Sequence, residues 1–196
     1  RHHQISPEWK SWLATTARRR GLKASGLVGL HVHFFLATAE HAQAGDYGAF
    51  ITSAEWLDVN YGSIVRELLL EGLGGESLHV IDPKAAPFAD ATTTGAIACF
   101  KIGEVPEQIK VRRVEKVSDL GRLDLGRAVS RQRLAESNRW SVFTRVTPKL
   151  PSGHMELGEL CRVHRGAVTG ANKTWVQRAD DVDLPAGVLF ASATRT

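Results

Sequence analysis

The alternation of helical and strand-like segments over the first hundred residues constrains this chain more than any other feature of its sequence. Ser6-Pro7-Glu8 is a helix start, with serine at the cap and proline at the first helical position; Trp9, Trp12 and Leu13 then recur at helical spacing before a stop at Gly21. After the loop "LKASG", helical periodicity returns over 27–42 through Leu27, Leu30, Phe34, Phe35 and Thr38, and "AGDYG" turns the chain. "AFITS", 49–53, reads as a short buried strand, "VNYGSIVRELLLEGLGG" as a helix closed by glycine, and "LHVID", 78–82, as a second strand. A Pro-flanked loop carrying Phe88 leads into a third strand over 93–101. Helix, strand, helix, strand at these spacings predicts a parallel sheet with crossover helices. The two strands after Gly75, with no helix between them, predict an antiparallel pair appended to it. Further on, "IKVRRVEKVSDL" predicts an edge strand, 121–137 is polar and weakly helical, and "GELCRVHRGAVTGANKTWV" opens a β-rich second module.

A chain of 196 residues with 43% apolar and 23% charged residues supports one good-sized core, or a core with a small appendage. Its most apolar helical stretch, 27–39, is interrupted by His31 and His33 and is too short to span a bilayer, so no membrane partner is expected. The opening "RHHQISPEWK" holds no long apolar stretch of the signal-peptide kind, and Cys99 and Cys161 are the only cysteines. A reducing, cytoplasmic setting is the expectation. The net charge of +4 hides an asymmetry: 1–110 holds 10 Lys/Arg against 12 Asp/Glu, whereas 111–173 holds 13 against 6. A basic segment of that size fits a nucleic-acid footprint, and a solvated surface accounts for any one of its charges.

Motifs taken alone identify no enzyme. His31 and His33 would point one way on a strand, but on a helix they point about 200° apart, which argues against a shared metal. No CxxC or HExxH spacing occurs, so no metal site is expected. GxGxxG, GxxxxGK[ST] and GxSxG are absent too, and Gly72, Gly74 and Gly75 fit a helix C-cap better than a phosphate cradle. Glu55 and Asp58 lie in the strand-to-helix loop "SAEWLDV", where an open α/β sheet presents ligand-facing groups, and a capping role suits Asp58 at least as well. Phe88 alone in its polar loop reads as a plug for a small surface cluster.

Three segments in order resemble the amino-type N6-adenine DNA methyltransferases of restriction-modification systems. "HFFLATAEHAQAGDYGAFITSAEWLDVNYGSIVRELLL" resembles the family's helix, Gly-turn, strand and "W-L" loop before "Y-G-x-x-(I/L)-R-x-x-L-L". "IDPKAAPFADATTTGAIACF" resembles its later hairpin, with F-x-x-A-T leading into a strand, and "LGELCRVHRGAVTGANKTWV" resembles the start of the target-recognition domain. The family's Asn/Asp-Pro-Pro-Tyr/Phe tetrapeptide and its Gly-rich cofactor loop are missing. "RHHQISPEW" resembles the family's segment on the C-terminal side of the tetrapeptide, so the chain is expected to begin just after it.

The resemblance implies an α/β fold: the C-terminal part of a Rossmann-like class I methyltransferase sheet, a parallel strand plus an antiparallel hairpin with flanking helices, followed by the start of a β-rich target-recognition domain. It divides the chain into the C-terminal part of the catalytic domain (1–120), a connecting segment (121–155) and the beginning of the recognition domain (156–196). The implied activity is methyl transfer from S-adenosylmethionine to N6 of a flipped adenine in double-stranded DNA. The cofactor site would lie largely outside this chain, and the chain alone is expected to be inactive. Phe88 becomes one stacking face for the extruded base, with Thr92 and Thr93 as the polar lip of its pocket. Arg165, Thr169, Asn172 and Lys173 become DNA-backbone contacts, and a tight-turn role for Gly166 and Gly170 is compatible with this. Trp56 and Tyr61 are expected to pack the helix against the sheet. The alternative is a non-catalytic DNA-binding or specificity module. A sheet edge left open would also favour self-association.

Overall fold

A computed structural model of the chain describes residues 2–85, 87 and 93–145, together with 153, 174, 176, 178, 185 and 187. The chain divides into two units, Arg1–Thr147 and Pro148–Thr196, and nearly all the described residues belong to the first. Phe88, Thr92, Cys161, Arg165, Thr169, Asn172 and Lys173 lie outside the described residues.

Helix α1, Pro7–Arg19, starts where its signal stands: Pro7 opens it and the Ser6 hydroxyl accepts from the Trp9 backbone N–H at 3.4 Å. Helix α2, Leu30–His41, is shorter than its periodicity predicts, because Gly26 and Leu27 form a turn and Gly29 stands at the cap. Strand β1, Tyr47–Ser53, extends two residues further back than "AFITS". Helix α3, Ser63–Glu67, continues as a wider π-type turn over Leu68–Gly72. Gly74 ends this segment with φ of 68°, and a Cβ there would come within 2.2 Å of the Lys101 carbonyl oxygen, so glycine is required twice over. Gly75, expected within the helix cap, is instead the first residue of strand β2, Gly75–Ile81.

Strands β3, Gly95–Lys101, β4, Gln108–Val114, and β5, Arg127–Ser130, complete a five-stranded mixed sheet, and the short helix α4, Arg131–Ala135, follows β5 directly. The strand order is β1-β3-β2-β4-β5. β3 pairs antiparallel with β1 (Phe50 opposite Ala98) and with β2 (Val80 opposite Ala96), as the hairpin expectation requires. β1 and β2 run in the same direction, joined by the α3 segment, but β3 lies between them where direct neighbours were expected. β4, an edge strand by its sequence, is interior: it pairs parallel with β2 and antiparallel with β5.

One face of the sheet carries the core. Phe35 of α2 meets Phe50 of β1 edge-on at 5.0 Å, Phe50 meets Phe100 of β3 at 5.5 Å, and Leu78, Val80, Ala96 and Ala98 are buried with them. On the opposite face of β1, Tyr47 and Ile51 are exposed. That opposite face also carries a buried polar chain. Arg112 Nε donates to His79 Nδ1 at 2.8 Å, which makes Nε2 the protonated nitrogen, and it lies 2.9 Å from Ser77 Oγ. Burial first, and the Arg112 charge second, push the His79 imidazole down to about 4, with the Leu123 backbone pulling weakly the other way. The unfolded chain therefore binds a proton near pH 6.5 that the folded chain refuses until about 4. Stability should be flat above about pH 6.5 and fall as pH drops through that window. Chemical denaturation at pH 7.5, 5.5 and 4.5 checks this, and a His79→Gln variant should flatten the decline.

No helix among the described residues is long and apolar enough to cross a membrane.

Candidate functional site

The loop 54–62 leaves β1 at its C-terminal end, the place where open α/β sheets present groups to ligands. Its first residue is tied to the far end of the Phe88 loop: the Ala54 N–H donates to the Thr94 carbonyl at 2.9 Å. Thr93, half-exposed, directly precedes the residue that makes this bond. Of the three residues assigned to a base pocket, the described structure holds Thr93 alone.

Three titratable side chains from separate elements converge here. Glu55 is exposed, and its Oε2 accepts from Tyr61 Oη at 3.1 Å. His31, in the first turn of α2, lies within electrostatic reach of Glu55; burial lowers its pKa, Glu55 opposes that shift and His33 adds to it. Its Nε2 is buried and has no hydrogen-bond partner among the described residues. Burial, reinforced by the bond to Glu55, raises the Tyr61 pKa, so the phenol stays a donor to the carboxylate. This group holds a carboxylate acceptor in a fixed place at the mouth of the sheet. A carboxylate so placed can accept a hydrogen bond from a donor such as an amine or hydroxyl.

The platform under Glu55 is rigid for reasons the sequence did not disclose. Arg66 of α3 is buried, and its Nη1 donates to the carbonyls of Trp56 at 2.5 Å and Val59 at 3.2 Å, tying two points within the loop. Burial lowers the Arg66 pKa, while Asp58 and Glu67 counter the shift, so the guanidinium keeps charged company. Gly62 closes the loop against its own start: a Cβ there would sit 2.1 Å from the Trp56 carbonyl oxygen. Trp56 is fully buried and donates through Nε1 to Thr52 Oγ1 at 2.9 Å, which is the packing role expected of it.

Asp58 is a cap, though for a different element from the one expected. Its Oδ1 accepts from the Ser141 N–H at 3.1 Å, at the start of the single turn Ser141–Thr144, and the Trp140 N–H donates to the Leu57 carbonyl at 2.9 Å. Trp140 and Trp56 meet edge-to-face at 6.3 Å. The histidine pair separates as a helix requires. His33 is buried against Trp12, ring stacked at 6.2 Å, with Nε2 3.2 Å from the Trp9 carbonyl, whereas His31 faces the loop.

No family model matches the sequence. The chain is 48% identical over 195 residues to the Type II methyltransferase M.XamI of Xanthomonas campestris pv. amaranthicola, a match that covers 100% of this chain and 37% of that protein. It is 24% identical over 102 residues to the Type II methyltransferase M.AccI of Acinetobacter calcoaceticus, covering 52% of this chain and 19% of that one. Among solved structures, the type IIG restriction endonuclease BpuSI superposes with a TM-score of 0.53 at 19% identity, over 67% of this chain and 18% of its own. That likeness concerns the fold. The resemblance to methyltransferases of restriction-modification systems holds along the whole chain, which spans little more than a third of the length of the relative it matches in full.

Proposed function

We propose that this chain is part of a restriction-modification DNA methyltransferase that transfers a methyl group from S-adenosylmethionine to N6 of an adenine flipped out of double-stranded DNA. The observation that carries the reading is the 48% identity to a Type II methyltransferase over the whole chain. The fold supports it: β1 and β2 are co-directional, the α3 segment crosses between them, and β3 enters antiparallel, in keeping with the closing part of a Rossmann-like methyltransferase sheet. On this reading 1–120 belong to the catalytic domain, 121–155 connect, and 156–196 begin target recognition.

The residues then divide the work. Phe88 stacks on the extruded adenine, and Thr92 and Thr93 form the polar lip of its pocket. The loop 54–62, tied to Thr94, fixes that lip relative to β1. Glu55, steadied by Tyr61, presents an acceptor beside the lip for a donor on the nucleotide or cofactor. Arg165, Thr169, Asn172 and Lys173 contact the DNA backbone. S-adenosylmethionine supplies the methyl group, and the amino group of the adenine is held by the Asn/Asp-Pro-Pro-Tyr/Phe tetrapeptide, which is absent from this sequence.

The 196 residues alone should therefore leave DNA unmodified, while a longer protein joining them to the tetrapeptide and a Gly-rich cofactor loop should methylate it. Nucleoside mass spectrometry after incubation with isotope-labelled S-adenosylmethionine and duplex DNA should find label on N6-methyladenine. Label on cytosine would overturn the choice of base. DNA binding by the longer protein with no methyl transfer would favour a non-catalytic specificity module, a reading the basic excess over 111–173 also accommodates.

A further inference from the structure

Residues 127–145 hold five arginines and one acid, Glu136, whose carboxylate is already bonded to Gln132 Nε2 at 2.9 Å. Arg131 leans toward Glu71, 3.8 Å away. Two of the remaining arginines are brought together by a single buried residue. Arg127, from β5, donates through Nη2 to the Phe143 carbonyl at 2.9 Å. Arg133, from α4, places its guanidinium 5.6 Å from the centroid of the Phe143 ring.

Both side chains belong to exposed residues, and neither has an ion-pair partner among the described residues. The contacts that position them leave most of their donors unused. Arg127 spends one N–H on the carbonyl, and Arg133 spends a face on the ring, so the forks of both remain open to solvent. Arg145, exposed and likewise without an ion pair among the described residues, lies two residues beyond Phe143. Two like charges held against one residue, neither paired with an acid among the described residues, repel each other unless an anion joins them. Planar forks with spare N–H groups suit phosphate oxygens, which accept two parallel bonds at once.

We infer that Arg127 and Arg133, gathered on Phe143, form a contact for the phosphodiester backbone of double-stranded DNA, in addition to those proposed for Arg165, Thr169, Asn172 and Lys173. The inference rests on the DNA methyltransferase reading. A contact of this kind positions the duplex and carries no base sequence, so its loss weakens binding to all duplexes alike.

The test is fluorescence anisotropy of a labelled duplex with the full 196-residue chain over a series of salt concentrations. Arg127→Gln together with Arg133→Gln should weaken binding roughly ten- to hundredfold near 0.1 M salt and reduce the slope of log K against log salt by about 2. Arg127→Lys with Arg133→Lys should restore most of that slope, because it returns the charges while sacrificing the fork and ring geometry. A purely structural role would shift thermal unfolding and leave the salt slope alone. If the wild-type chain binds and the Gln pair keeps its slope, this assignment is wrong and the methyltransferase reading stands. If the wild-type chain binds no duplex at any salt, the assignment falls, and failure of the longer protein to methylate would then be needed to bring down the reading beneath it.

Discussion

Trp56→Ala should lower the free energy of unfolding by about 3–5 kcal/mol, the usual cost of removing a buried aromatic without refilling its space. The indole is fully enclosed, meets Phe35 at 6.1 Å and Trp140 at 6.3 Å, and gives its N–H to Thr52. Truncation therefore opens a cavity between α2, the loop 54–62 and the Trp140 segment, and leaves the Thr52 hydroxyl without its donor. Domains of this size are commonly stable by only about 5–15 kcal/mol, so the loss is a large fraction of the total. Urea titration monitored by far-ultraviolet circular dichroism measures it. Trp56→Phe should recover roughly half, since it keeps the ring and loses the N–H. A drop below about 1 kcal/mol for the alanine variant would mean that the three segments pack independently.

Phe88→Ala should reduce methylation by the longer protein roughly 5- to 150-fold, the equivalent of the 1–3 kcal/mol that stacking on one base is worth. Because the ring is assigned to the extruded adenine, the loss should be smaller on a duplex in which the target adenine faces a mismatch. Such a base is already partly unstacked and costs less to extrude. Phe88→Tyr should keep most of the activity, because it keeps the aromatic face. Single-turnover methylation on matched and mismatched duplexes separates these outcomes; equal loss on both would assign Phe88 to packing instead.

What the sequence disclosed is local, and what it concealed is not. Ser6-Pro7 declares its helix through a cap and a preset dihedral, both properties of adjacent residues, and the apolar runs 49–53 and 93–101 declare strands in the same way. That β3 enters between β1 and β2 depends on which distant backbones pair, and no periodicity records it. β4 reads as an edge because its partner β5 has four residues, of which only Val129 is buried, too few to show alternation. At the site, the strand-to-helix position singles out Glu55 and Asp58 from sequence. The clamp beneath them escapes notice because Arg66 binds backbone carbonyls, whose identity leaves no mark in the sequence beyond the lone arginine in "R-x-x-L-L". The Arg127 and Arg133 pair is visible only as a regional surplus of charge; Phe143, an apolar residue, is what gathers it.

The placement of β3 also sets an order of assembly. The edge of β1 that faces β2 is filled by β3, so while the chain emerges from the ribosome that edge of Tyr47–Ser53 stays open until Gly95–Lys101 follows. α3 and β2 are synthesised in the meantime, yet β2 cannot dock beside β1 without occupying the slot that β3 must take. Correct folding thus rewards a nascent chain that delays closing its first crossover, and slow translation just before Gly95 would prolong the interval in which that strand is open to pairing with a neighbouring polysome's product.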